Sequence, residues 1–134
     1  MNTHTLFVAI LLVGAVQSRR VTQETYDIFF QLIEPYYPNC LVEAGITPGY
    51  AKDVVITAFV PDEANVKQYF DCLYVAMDLF LENGEFSREK VIGLASYMTE
   101  ALVDECMPLT EREVLRVDKS LALANCLINA LAID

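Results

Sequence analysis

The sequence predicts an all-α fold, a compact bundle of about six helices around an apolar cavity, stapled by two disulfides. Apolar residues recur every three or four positions from residue 21 onward, which is the spacing of one helix face. Four cysteines, an even number, stand in this helical part, and hydrophobic residues make up 54% of the 134-residue chain. Two disulfides added to so large an apolar core would give stability beyond that of a packed core. Because such stability can offset the free-energy cost of an internal void, we expect a cavity.

The first 18 residues are expected to be a signal peptide, cleaved after Ser18 or, alternatively, after Ala15 or Gln17. Leu6–Val16 is an apolar run of 11 residues, which is too short to span a bilayer and suits the core of an export signal. No later run reaches about 18 apolar residues. We therefore expect residues 19–134 to be a single domain that is secreted into extracellular fluid.

The first two helical segments are separated by prolines. Thr22 is a suitable N-cap for the first helix, whose apolar face comprises Val21, Ile28, Phe29, Leu32, Ile33 and Tyr36. Pro35 and Pro38 interrupt this helix and leave a short turn that carries Cys40. Gly45 ends that turn, because glycine readily adopts the left-handed conformation that closes many helices.

A short second helix and a longer third helix follow. Thr47 and Pro48, as N-cap and first helical residue, start a helix that reaches about Thr57. Pro61 marks the next break, and a third helix is expected from about Asp62 to Leu81.

A clear turn at Asn83-Gly84 separates the third helix from the fourth, since both residue types tolerate positive φ. Ser87 then caps a fourth helix that is expected to reach about Cys106, and Met107-Pro108 closes it.

The end of the chain is predicted to hold two more helical segments. Thr110-x-x-Glu113 has the pattern of a capping box that opens a fifth helix through Val114, Leu115 and Val117. Ser120–Ile133 is almost wholly apolar, so we expect a central helix that the others cover.

The charge excludes two classes of partner. The formal net charge is −10, and every Lys, Arg, Asp and Glu follows residue 18. So acidic a domain repels phosphate backbones and anionic membrane surfaces. We therefore expect no nucleic acid partner.

The residue inventory argues against an enzyme. The only histidine, His4, lies in the predicted signal peptide, so the mature chain lacks the histidine of Ser-His-Asp and Cys-His sites and the commonest zinc ligand. No nucleophile-elbow, zinc-protease, P-loop or dinucleotide-binding pattern is present. Carboxylate-pair chemistry stays open, but acidic residues on such a chain are mostly solvated. We predict no enzymatic activity, no metal and no cofactor.

Taken together, residues 19–134 resemble an insect odorant-binding protein of the minus-C group, the four-cysteine members of the pheromone/general odorant-binding protein family. The resemblance rests on the C-x-x-x-x-G-I-T-P segment that begins at Cys40, the N-G-E-F turn that ends at Phe86, and the short tail after Cys126. In six-cysteine relatives, cysteines stand four residues before the third and nine residues before the sixth. Gln68 and Val117 occupy those positions here.

The resemblance implies one disulfide pairing among the three that four cysteines allow, Cys40–Cys72 with Cys106–Cys126. Because the second and fifth cysteines pair with each other in the full pattern, their joint absence removes one bridge cleanly. Four unrelated buried thiols are the alternative, since free cysteine packs as a small hydrophobe.

The resemblance also implies a pocket lined from the third, fourth and last helices, with Phe86 as the clearest member. The expected ligand-binding residues are Phe70, Leu73, Tyr74, Met77, Phe86, Leu94, Met98, Leu121, Leu127 and Ile128. By periodicity alone, ordinary core packing explains the same aromatic and methionine residues. Tyr74 and Tyr97, if buried, are expected to offer a hydroxyl to a ligand or to the backbone.

The function that the resemblance implies is a secreted carrier of small hydrophobic molecules, such as odorants or pheromones, through aqueous fluid. A membrane odorant receptor and a second copy of the chain, in a weak homodimer, are further partners that it leaves open. The alternative is a secreted interaction protein, for defence or reproductive fluid, on the same scaffold with a filled core. A saposin-like lipid-binding protein fits the charge and the cysteine count poorly.

Overall fold

The computed structural model describes residues 19–134, and the predicted signal peptide lies outside the described residues. Within this range the chain forms two isolated β-bridges, Arg20–Ile133 and Phe80–Phe86, and seven helices. The all-α prediction is therefore confirmed. The helices are α1 (Gln23–Ile33), α2 (Tyr37–Ala44), α3 (Pro48–Ile56), α4 (Ala64–Ala76), α5 (Arg88–Ile92), α6 (Glu100–Glu111) and α7 (Arg116–Leu131).

Side chains that were predicted to cap helices do so at three N-termini. Thr22, Thr47 and Ser87 each accept a hydrogen bond from the backbone N–H three residues later, at 3.2, 3.2 and 3.3 Å. Gly45 ends α2 with φ of +70°, the left-handed conformation in which a residue with a Cβ is strained. These local signals therefore set the boundaries of the first helices.

The predicted fourth helix, from Ser87 to Cys106, is wrong, because two helices stand in its place. α5 ends at Ile92, and Gly93 follows it. Thr99 then caps α6, since its Oγ1 accepts a hydrogen bond from the Leu102 N–H at 3.1 Å. Gly93 and Thr99 are the local stop and start signals that outweigh the continuous apolar pattern.

The predicted stop at Met107-Pro108 is also wrong, since α6 continues through Pro108 to Glu111. The proline removes the hydrogen bond to the carbonyl of Asp104. Pro108 and Asp104 are both exposed. A water molecule can therefore donate a hydrogen bond to the Asp104 carbonyl oxygen in place of the missing N–H, at little cost.

The predicted capping box at Thr110 does not form, and no separate fifth helix begins there. Thr110 is completely buried inside α6, and its hydroxyl donates to the Met107 carbonyl oxygen at 2.7 Å. Val114 and Leu115 are exposed, and the last helix starts at Arg116 as one continuous element. Burial of Thr110 keeps its side chain from capping a new helix.

The core is assembled around α7, which packs most extensively against α6 and α4, while α4 also packs against α2. Leu123 and Ala124, in the middle of α7, are almost completely buried. The last helix is therefore central, as its composition predicts.

Two disulfides join the helix pairs in this core. Cys40–Cys72 links α2 to α4, and Cys106–Cys126 links α6 to α7, each with a Cα–Cα distance of 5.6 Å. These are the bridges that the resemblance implies. On the loop-entropy model each bridge stabilises the fold by about 3–4 kcal/mol.

A polar cluster lies at the start of α7 and is buried except for Arg116, which is exposed, and Glu85, which is partly exposed. It consists of Asp71, Glu85, Thr110, Arg116, Lys119 and Ser120. The Asp71 carboxylate accepts hydrogen bonds from Ser120 Oγ at 2.9 Å and from Arg116 Nε and Nη2 at 3.1 and 2.9 Å. Lys119 Nζ donates to the Thr110 carbonyl oxygen at 3.1 Å and lies 2.7 Å from Glu85 Oε1. The cluster therefore connects α4, α6, α7 and the turn before α5.

Candidate functional site

An apolar cavity lies between α1, α3, α4, α7 and the connection of residues 93–99 that joins α5 to α6. Helical spacing aligns Phe70 and Tyr74 on one face of α4 and Leu123 and Leu127 on one face of α7, while Met77 directly follows the end of α4. The sixteen lining residues are Val21, Thr25, Tyr26, Phe29, Leu32, Val55, Phe70, Tyr74, Met77, Leu94, Tyr97, Met98, Leu123, Leu127, Ile128 and Leu131.

The free space inside this cavity is small, about 40 Å³. A water molecule needs at least roughly 10–15 Å³, so two or three waters would fill it. Small-molecule sites usually enclose roughly 300–1,000 Å³. A ligand as large as a typical volatile therefore enters only if lining side chains move.

Part of the cavity wall is suited to such movement. Met77 and Met98 have unbranched side chains that adapt to irregular shapes. Leu94, Tyr97 and Met98 lie on the 93–99 connection, whose backbone is not helical. Because this connection can shift without breaking a helix, it is the most adaptable side of the cavity.

The N-terminal segment closes the cavity at the side of Val21 and Leu131. Arg20 and Ile133 exchange two backbone hydrogen bonds, each 2.8 Å long. The Val21 N–H donates to the Ile56 carbonyl oxygen at 3.0 Å. These bonds hold Val21 in the cavity wall, where it is only 4% exposed.

The only polar side-chain atoms among the lining residues are the hydroxyl groups of Thr25, Tyr26, Tyr74 and Tyr97, and none of the sixteen is charged. Of the tyrosine hydroxyls in residues 19–134, only that of Tyr50 forms a hydrogen bond within this range. The cavity therefore offers a ligand apolar contact and a few unpaired hydroxyl groups.

Burial further disfavours ionisation of the tyrosines of the cavity, which are neutral at neutral pH. It raises the pKa of Tyr97 to about 12 and raises the pKa of Tyr74 as well. The neighbouring Tyr97 raises the pKa of Tyr74 further, because two phenolates would repel each other. Both hydroxyls therefore remain proton donors at neutral pH.

Most of the residues expected to bind a ligand lie on the cavity. They are Phe70, Tyr74, Met77, Leu94, Met98, Leu127 and Ile128. The structure brings them together from α4, α7 and the 93–99 connection. Their contact with a ligand remains a prediction.

Three of the expected residues lie elsewhere. Phe86, the clearest choice from the resemblance, is absent from the lining. It stacks on Phe80 at a centroid distance of 4.3 Å and packs edge-to-face with the Tyr74 ring at a centroid distance of 5.6 Å. Leu73 is completely buried but absent from the lining, because it is one residue away from Tyr74 on the helix. Leu121 faces a surface groove, since two positions before Leu123 is the opposite side of α7.

The sequence-based list lacks the whole contribution of α1 and of several single residues. The missing lining residues are Val21, Thr25, Tyr26, Phe29, Leu32, Val55, Tyr97, Leu123 and Leu131. The apolar face predicted for the first helix was the available signal for three of them, Val21, Phe29 and Leu32. That face shows that α1 is covered on one side, but it does not distinguish a cavity wall from solid core.

Residues 19–134 contain no group of three His, Cys, Asp or Glu side chains that could hold a metal ion. No helix in the described part of the chain has the length and apolar composition that crossing a bilayer requires.

Comparison with known proteins gives one match. The model of the PBP/GOBP family matches residues 22–130, which includes every helix apart from the last residue of α7. No curated protein and no solved structure matches the chain.

Proposed function

The chain belongs to the PBP/GOBP family, and from this membership we propose that it is a carrier that binds one small hydrophobic molecule in the cavity. The family is one of binding and carrier proteins, not of enzymes. The observation that carries the proposal is the cavity itself, which is enclosed by sixteen residues without a charge. Binding would remove apolar ligand surface from water, at roughly 25 cal/mol per Å².

The finer proposal is a secreted carrier of odorants, pheromones or similar volatiles that belongs to the minus-C group. What supports the group is that Gln68 and Val117, the residues at the positions of the missing cysteines, line one surface groove between α4 and the start of α7. What supports secretion is the predicted signal peptide and the two disulfides, which persist in oxidising compartments. A membrane odorant receptor and a weak homodimer stay predictions, which co-purification and sedimentation would test.

A second candidate is favoured by the small size of the cavity. With about 40 Å³ of free space, the same scaffold suits a secreted interaction protein whose core stays filled. Such a protein would take up no small molecule.

Uptake of a fluorescent apolar probe separates the two candidates. The full chain is expressed in a secreting host, and the intact mass of the protein in the medium reports the cleavage site, expected after Ser18. We expect N-phenyl-1-naphthylamine to bind with micromolar affinity and one-to-one stoichiometry, and unrelated volatiles to displace it.

Two variants of α7 show whether the probe occupies the cavity. Leu127→Phe adds volume to the cavity wall and should weaken probe binding at least fivefold. Leu121→Phe makes the same change on the opposite side of the helix, at the surface groove, and should leave binding unchanged. Folded protein that takes up no probe would support the filled core, and equal weakening by both variants would place the probe outside the cavity.

A further inference from the structure

The cavity wall carries two tyrosine hydroxyl groups that have no hydrogen-bond partner within residues 19–134. Tyr74 is only 5% exposed and Tyr97 is partly buried, and within residues 19–134 neither hydroxyl forms a hydrogen bond. Buried polar groups in proteins are nearly always paired, so each unpaired one calls for an explanation. Both residues line the cavity, so a molecule bound there can supply the missing partner.

The other hydroxyls of the cavity are less available. Thr25 Oγ1 accepts a hydrogen bond from Thr22 Oγ1 at 3.0 Å. The ring of Tyr26 lies 5.4 Å from Lys52 Nζ, which places this tyrosine beside an exposed cation. Tyr74 and Tyr97 are therefore the hydroxyls best placed to serve a ligand in the interior.

We propose that the cavity selects ligands that carry one neutral oxygen acceptor, such as the carbonyl of a ketone or ester, which accepts a hydrogen bond from Tyr74 or Tyr97. This inference rests on the proposed carrier function and specifies its ligand class. An alkane of equal length leaves both hydroxyls unpaired, and an unpaired buried group costs affinity.

Carboxylates are excluded by the same lining. None of the sixteen residues is a lysine or arginine, so a buried carboxylate would have no cation to pair with. The two tyrosine hydroxyls stay uncharged at neutral pH and supply only hydrogen bonds. A fatty acid anion is therefore a poor ligand, although its chain is as apolar as that of the ketone.

The experiment compares three ligands with chains of eleven carbons. 2-Undecanone, undecane and undecanoate compete for N-phenyl-1-naphthylamine at pH 8 with the wild-type protein and with Tyr74→Phe, Tyr97→Phe and the double variant. We expect wild type to bind the ketone about three- to tenfold more tightly than the alkane, which corresponds to one net hydrogen bond. Undecanoate should bind most weakly.

Removal of the hydroxyls should erase the preference for the ketone. In the double variant, the ratio of ketone to alkane affinity should fall to about one while alkane binding persists, which also shows that the cavity is intact. Tyr69→Phe is the matched control, because Tyr69 is 2% exposed on the same helix but absent from the lining. Its ratio should equal that of wild type.

The outcomes separate this inference from the carrier function. If the probe binds but the ketone preference is absent in wild type, or survives in the double variant, the ligand class is wrong while the carrier function stands. If undecanoate binds most tightly, the exclusion of carboxylates is wrong. If folded wild-type protein binds no probe, the carrier function fails and the inference fails with it.

Discussion

The first turns of α7 bury charged and hydroxyl side chains that are almost fully hydrogen-bonded, whereas its later turns bury leucine and isoleucine beside a nearly closed cavity. At the start of the helix, Lys119 and Ser120 reach partners on α6, α4 and the turn before α5. In the described part of the chain, Glu85 Oε2 is the one completely buried side-chain oxygen or nitrogen that lacks a hydrogen bond. Toward the other end, the apolar side chains of Leu127 and Ile128 line the cavity.

The difference shows how one end of α7 can fix the positions of neighbouring helices while its other end lines a cavity whose side chains can be rearranged. Hydrogen bonds and ion pairs depend on distance and angle, so the polar cluster fixes the positions of α4 and α6 against α7. Apolar contacts are not directional, so side chains around the cavity can be rearranged at small cost. We expect ligand binding to change the cavity end of the molecule and to leave the polar cluster as it is.

The largest expected effect is loss of the buried cation of the polar cluster. Lys119→Met leaves Glu85 and the Thr110 carbonyl without their partner, so the free energy of unfolding should fall by about 2–4 kcal/mol. Urea unfolding measures this change.

An exposed ion pair provides the control for Lys119. Lys90 Nζ lies 2.8 Å from Asp78 Oδ2, almost the same separation, but both groups are exposed. Lys90→Met should therefore change the free energy of unfolding by less than about 1 kcal/mol. Equal losses in the two variants would mean that burial of the cluster contributes nothing.

A smaller effect is expected at alkaline pH, and it concerns the cavity rather than the cluster. Burial raises the pKa of Tyr74 above that of an unfolded tyrosine, about 10. A raised folded-state pKa contributes stability that is fully present below pH 10 and is lost as the pH rises further, because only the unfolded chain then releases the proton. Each pH unit above 10 should therefore cost about 1.4 kcal/mol for this residue.

The variant Tyr74→Phe should remove that part of the pH dependence. Between pH 10 and pH 11 it should lose about 1 kcal/mol less unfolding free energy than the wild type. Unfolding curves that fall in parallel for both proteins would show that Tyr74 ionises as readily in the fold as in the unfolded chain.

An effect smaller than that of Lys119→Met is expected in the apolar half of α7. Leu127→Met keeps the volume nearly constant and supplies a more flexible side chain, so it should cost less than about 1.5 kcal/mol. Thermal unfolding measures it beside Lys119→Met. If Leu127→Met lowers the free energy of unfolding more than Lys119→Met does, the comparison is reversed. The apolar half of α7 would then tolerate substitution less well than the polar cluster.

The sequence was sufficient to predict the helix ends that depend only on neighbouring residues. Thr22, Thr47 and Gly45 act within one turn of their own position, so their roles could be predicted from the sequence. Pro108 and Thr110 could not be interpreted in this way. Their effect on the backbone depends on whether they face water or the core, and that is a property of the packed helices.

The sequence by itself determined an all-α domain with an apolar interior and, through its resemblance to a family, the pairing of its four cysteines. The tertiary structure alone decided which apolar side chains enclose space. A period of three to four residues shows which face of a helix is covered, but it does not show what covers it. Phe86 thus packs against Tyr74 without lining the cavity, and residues of α1 line it. The polar cluster depends on the same long-range packing, because Asp71 and Ser120 are 49 positions apart in the chain and meet only when α4 packs on α7.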